Sequence, residues 1–146
     1  MPAPQNFKNH TRMDPLFHYV ILPILLLNIV FAVRTTIHDW PAHPHLNPWW
    51  IVMSIVFLLM AGKARGNALM AQNRVIRLEE RLRLATILPP SELPRIADLS
   101  PAQLIALRFA ADEELTALAL RAATQKLEPK AIKQSIVNWR PDHYRV

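Results

Sequence analysis

The chain has 146 residues, with 17 Lys and Arg against 11 Asp and Glu, six His and no Cys. That length excludes a large multidomain catalyst, and the lack of Cys excludes disulfide frameworks, thiolate zinc sites, iron–sulfur clusters and thiol catalysis. Hydrophobic residues make up 51% of the chain but are pooled in two N-terminal blocks, a distribution foreign to an ordinary soluble domain, while two Gly and thirteen Pro argue against phosphate loops and for helices with hard stops.

Residues 1–15 read as an N-terminal tail carrying Lys8 and Arg12. From Leu16 to Val33 no residue carries a formal charge, and at 1.5 Å per residue this run spans about 27 Å, close to the hydrocarbon core of a bilayer. It predicts a first membrane helix, bent at Pro23 and with Asn28 facing another helix. A cleaved signal peptide is the competing reading, but no clean small-x-small site follows the apolar run. The loop 34–47 holds one basic residue, Arg34, and the ligand types His38, Asp39, His43 and His45, with Pro41, Pro44 and Pro48 to stiffen it. His38, His43 and His45 suit zinc, nickel or copper if they converge; the plainer reading is a polar interfacial turn. His18 admits haem ligation or proton relay, against a satisfied interfacial histidine beside Tyr19.

Asn47 and Pro48 predict a cap and a first-turn proline for a second span over about 48–62, with Trp49 and Trp50 at the aromatic belt and Lys63 and Arg65 snorkelling at the far end. Basic residues Lys63, Arg65, Arg74, Arg77, Arg81 and Arg83 crowd the stretch after this span, so the positive-inside rule predicts both termini cytoplasmic. Residues 63–88 carry six basic and two acidic groups, residues 89–146 eight and seven. The excess charge is therefore juxtamembrane, explained by anionic headgroups rather than by nucleic acid.

Ala61, Ala64, Ala68, Ala71, Val75, Leu78, Leu82 and Ala85 recur at alternating steps of three and four, the repeat that lets one helix supercoil with another. No proline interrupts it before Pro89, so the second span is predicted to continue as one helix to about Leu88. Gly62 and Gly66 are expected to let backbones approach near the membrane, and Glu79 and Arg83 to pair at i, i+4. A second copy or the chain's own C-terminal helices are the two candidates for what packs on this seam.

A proline-rich connector over 89–98 precedes a small module. Ser100 and Gln103 form a capping box with Pro101 at the first helical position, predicting a helix to about Ala110. Asp112 is expected to cap the next helix, and Pro129 to start a third, ending before Pro141. Their apolar stripes are Leu104, Leu107 and Phe109; Leu115, Leu118 and Ala122; Ile132, Ile136 and Trp139. So short a module needs the long helix or a partner to complete its core. The acidic run Asp112–Glu114 fits a positive helix start better than acid/base catalysis. The alternating aromatic and basic residues of 138–145 make Trp139 either a core anchor, with Arg140 and Asp142 paired at its edge, or part of a binding surface.

The segments QNFKNHTRMDPLFHY, RVIRLEERLRL, QLIALRFAADEEL and NWRPDHYRV together resemble an uncharacterised family of small bacterial two-span membrane proteins, a domain of unknown function. The resemblance implies a bacterial membrane location and brings no activity, ligand or catalytic residue; together with the charge bias, the expected place is the bacterial inner membrane.

The expected fold is all-α. It comprises a transmembrane hairpin over 16–62, a juxtamembrane amphipathic helix over 63–88 continuing the second span into the cytoplasm, and three short helices within 99–146. With no protease, hydrolase, kinase or nucleotide motif, the expected function is a non-enzymatic membrane scaffold or accessory subunit without cofactor. Its partners would be the bilayer and either itself or another membrane protein, met through Val75, Leu78 and Leu82, with Arg74, Arg77 and Arg81 toward headgroups or an acidic partner. The rivals are a small metal- or cofactor-binding membrane protein using the outer-loop histidines and, less favoured, a membrane-tethered nucleic-acid regulator.

Overall fold

The computed structural model describes residues 4–11 and 13–142, and among them the fold is helical with no strand. His143, Tyr144 and Arg145 of the terminal segment, and Arg12 of the tail, lie outside the described residues. The described chain falls into two compact units, residues 13–69 and residues 4–11 together with 70–142.

In the first unit, α1 (Leu22–His38) follows directly on a π-helical turn, Phe17–Ile21. The Leu22 N–H reaches back five residues to the Phe17 carbonyl, immediately before Pro23, so the ladder widens where proline removes a donor. The helix runs five residues past the predicted end at Val33, because Thr35 and Thr36 return their hydroxyls to the Phe31 and Ala32 carbonyls and add no exposed donor cost. α2 (Leu46–Ile87) has 42 residues and begins before the predicted cap. Asn47 is not the N-cap: its own N–H already donates to the His43 carbonyl and it sits buried in the first turn. The two helices run antiparallel, since Asn28 meets Ser54, Phe31 meets Trp50 and Asp14 meets Arg65. Asn28 Nδ2 donates to Ser54 Oγ at 2.7 Å, and the fully buried Ser54 hydroxyl donates on to the Trp50 carbonyl, so both polar groups are satisfied between apolar helices.

In the second unit, α3 (Pro101–Leu107), α4 (Asp112–Thr124) and α5 (Pro129–Ser135) surround one core with Leu84 of α2 and Leu88 just past its end. The expected stripes supply it: Leu104, Leu107, Phe109, Leu115, Leu118, Ala122, Ile132 and Ile136 are all buried. The connector is more than a spacer, for Leu93–Ile96 forms a 3-10 turn whose Leu93 and Ile96 pack on that core. α3 ends at Leu107 rather than near Ala110, because Ala110 joins an antiparallel bridge with Trp139. The chain after Ser135 is likewise extended, with Ala111 N–H donating to the Asn138 carbonyl and Arg140 N–H to the Phe109 carbonyl. The capping box forms as expected, and the Gln103 side chain also donates to the Ala122 and Leu127 carbonyls, tying α3 to the end of α4. Asp112 does not cap α4: Ala111 is the N-cap, with no side-chain bond, and the Asp112 carboxylate is held elsewhere. α4 closes with Lys126 in the left-handed region (φ 49°) and Leu127 N–H donating to the Ala122 carbonyl, a Schellman-type stop.

Residues 4–11 are not a separate tail. The His10 ring lies edge-on to Phe109 at 5.6 Å and tilted against Trp139 at 5.8 Å, its Nε2 is 3.2 Å from Lys133 Nζ, and the Asp142 N–H donates to Gln5.

Candidate interaction surface

Heptad positions for the seam put Ala71, Leu78 and Ala85 at d and Val75 and Leu82 at a. The module docks on different positions. Leu84, with Leu88 just past the end of α2, packs in the module core, Glu80 is buried against Arg140, and Ile76 on the same face is also buried, with Ile87 and Arg83 half-buried beside them. These fall mainly at b, c and f, about 180° around the helix from the a/d line at 100° per residue. The question of what packs on the seam is thus half answered: the chain's own module takes the opposite face. Val75, Leu78 and Leu82 remain 55%, 61% and 60% exposed. Gly62 and Gly66, expected to let backbones approach closely, fall at b and f, with open space over both.

An ion cluster fixes the covered face. Arg83 Nη1 donates to Glu80 Oε2 at 3.2 Å, its Nε to Asp112 Oδ1 at 2.7 Å, and its Nη2 to the Ala110 carbonyl at 2.7 Å. The expected Glu79–Arg83 pair is therefore not made, since Arg83 turns inward. Arg140 Nη1 comes within 3.7 Å of Glu80 Oε1. Burial pushes the Glu80 carboxyl above its ordinary value, and the pull of Arg83, with a smaller one from Arg140, only partly offsets it. The acid run at α4 has structural work: Asp112 receives Arg83, and Glu114 accepts the Val137 and Asn138 N–H groups. A groove of about 830 Å³ beside this cluster is lined by Glu79, Glu80, Arg83, Arg108, Arg140 and Asp142 among others.

Trp139 packs on the core. Half-buried against the core, its ring is 5.2 Å from Phe109. The predicted Arg140–Asp142 pair is replaced by Arg140–Glu80 and by Arg108 Nε–Asp142 Oδ2 at 3.0 Å. Arg74 and Arg81 flank the seam exposed, whereas Arg77 is half-buried and returns its Nε to the Asn73 carbonyl.

In the hairpin unit Lys63 is exposed and Arg65 is half-buried. It pairs with Asp14 at 3.1 Å and lies 5.0 Å over the Phe17 ring, because a carboxylate and an aromatic face are within reach. Trp49 is exposed and Trp50 packs edge-on against Phe31. His18 Nδ1 donates to the Asp14 carbonyl. His38 bonds Asp39 at 2.9 Å, both groups substantially exposed, and His43 and His45 are exposed; among the described residues no three His, Asp or Glu converge as metal ligands.

Among the described residues, fold and surface together define a helical protein with two helices, Phe17–His38 and Leu46–Ile87, long and apolar enough to cross a membrane, and a helical module on one face of the second. The chain belongs to the Family of unknown function (DUF6526), whose family model matches residues 1–146. No curated protein and no solved structure matches it.

Proposed function

We propose that this protein is a two-span integral membrane scaffold or accessory subunit of the bacterial inner membrane, with both termini cytoplasmic. Its working surface is the seam of α2. The observation that carries this reading is the division of α2 into two opposed faces, one committed to the chain's own module and one apolar and uncovered at Val75, Leu78 and Leu82.

Insertion is supported by exposure. In α1 only Ala32 is buried, while Ile24, Leu27, Val30 and Phe31 are more than half exposed, the reverse of a soluble core helix. A shared side for the two ends is supported by residues 4–11 packing on Phe109 and Trp139 within one unit, which needs an even number of crossings between them. That side reads as cytoplasmic because Lys8, Lys63, Arg74 and Arg81 lie there against Arg34 alone in the loop. Basic side chains so placed gain about 1 kcal/mol each from anionic headgroups.

The absence of Cys makes the test direct. In intact cells a membrane-impermeant maleimide should label Ala42→Cys and should reach Gln125→Cys only after permeabilisation, with both chains resisting carbonate extraction. Release by carbonate, or labelling of Gln125→Cys from outside, overturns the proposal.

A further inference from the structure

Building on that membrane-anchored reading, we propose that the occupant of the seam is a second copy of this chain, parallel and in register, with Val75, Leu78 and Leu82 each facing its own counterpart. β-branched Val75 at a beside Leu78 at d is the combination that favours two strands, and Val75, Leu78 and Leu82 stay exposed, Val75 and Glu79 meeting the module only across the groove they line with Arg140 and Asp142.

The charges flanking the seam choose both the partner and its direction. In a parallel pair each g residue meets the e residue five positions on in the other helix. Arg74 at g thereby meets Glu79 at e of the second copy, and two-fold symmetry makes the pair twice. Within one chain these groups are available: Arg83, the i+4 neighbour of Glu79, is held by Glu80 and Asp112, and neither Arg74 nor Glu79 has an ion-pair partner among the described residues. Arg81 at g meets the neutral Thr86. An antiparallel pair would instead set g against g, bringing Arg74 and Arg81 of the two chains together, and like charges there are unfavourable. From Ala71 to Ala85 the seam is only about 21 Å long, too short to hold free helices together strongly, but a common membrane raises the effective concentration of the second copy.

Leu78→Cys in the full chain, oxidised in native membranes, should give a disulfide-linked band at twice the chain's mass, while Gln125→Cys, on the exposed end of α4, should not. In the Leu78→Cys background Arg74→Glu sets like charges across both pairs and should lower the cross-linked yield roughly five-fold, as should Glu79→Arg; the two together restore opposite charges and should recover it. These positions are exposed, so the module should keep its protease resistance throughout. The dimer is overturned by a membrane-bound Leu78→Cys chain that fails to cross-link to itself, by a product of another mass, or by single and combined charge variants that behave alike. Loss of the chain from the membrane pellet would instead refute the anchored reading, and self-cross-linking of that released chain would leave the pairing standing.

Discussion

Glu80 is nearly enclosed, and what surrounds it decides how the unit responds to pH. Its carboxyl is raised above the ordinary value chiefly by burial. A raised acid binds its proton more tightly in the folded chain, so its contribution to stability is fully present below the ordinary carboxylate value and is lost as pH rises through the raised one. Glu80→Gln should therefore gain on the parent as pH is taken from about 4 to 7, seen as a growing difference between thermal melts followed by circular dichroism. A melt difference flat with pH would show that ionisation of Glu80 costs nothing. Arg83→Ala acts oppositely: it strips the buried carboxylate of its nearest cation and releases Asp112 and the Ala110 carbonyl, a loss of about 3 kcal/mol. At Lys126 the left-handed φ favours glycine, and Lys126→Gly should raise stability by about 0.5 kcal/mol on denaturant titration. The histidines of the loop between α1 and α2 test the rival metal-binding function. Elemental analysis of the purified protein should find no stoichiometric metal that depends on His43 and His45.

α2 is the element on which the interpretation turns, because two faces of one helix have different fates. Leu84 is 1% exposed in the module core and Leu82, two positions away, is 60% exposed. Leu84→Ala should cost about 3 kcal/mol of module stability, whereas Leu82→Ala should leave the module within about 0.5 kcal/mol and act only on association. Equal losses in denaturant titration of the two variants would mean that the seam is part of the module's own core. The capping box of α3 is a smaller contribution, with Ser100→Ala costing about 1 kcal/mol.

Across the molecule, residues 4–11 and 70–142 behave as one unit although the hairpin separates them in sequence. His10 and Phe7 stack at 5.7 Å, and His10 in turn abuts Phe109 and Trp139. Phe7→Ala combined with His10→Ala should expose the 136–142 segment, read as faster proteolytic cleavage there at unchanged membrane retention. Unaltered cleavage would show that the N-terminal segment contributes nothing to holding the module closed.

Periodicity and proline position were enough to read two long apolar helices, three short helices with the right buried stripes, and the capping box, because each is set by neighbours within a few turns of the same chain. Asn28 was legible for the same reason: an amide in an apolar run needs a partner, and Ser54 is that partner. What a local pattern does not contain is competition among long-range partners. Arg83 left Glu79 for Glu80 and Asp112, Arg65 paired with Asp14, Arg140 left Asp142 for Glu80, and the module settled on Leu84 and Leu88 rather than on the seam. Each choice compares groups distant in sequence but adjacent in space, where burial and geometry set the energies, so only the tertiary structure could decide which face of α2 was used and which was left open.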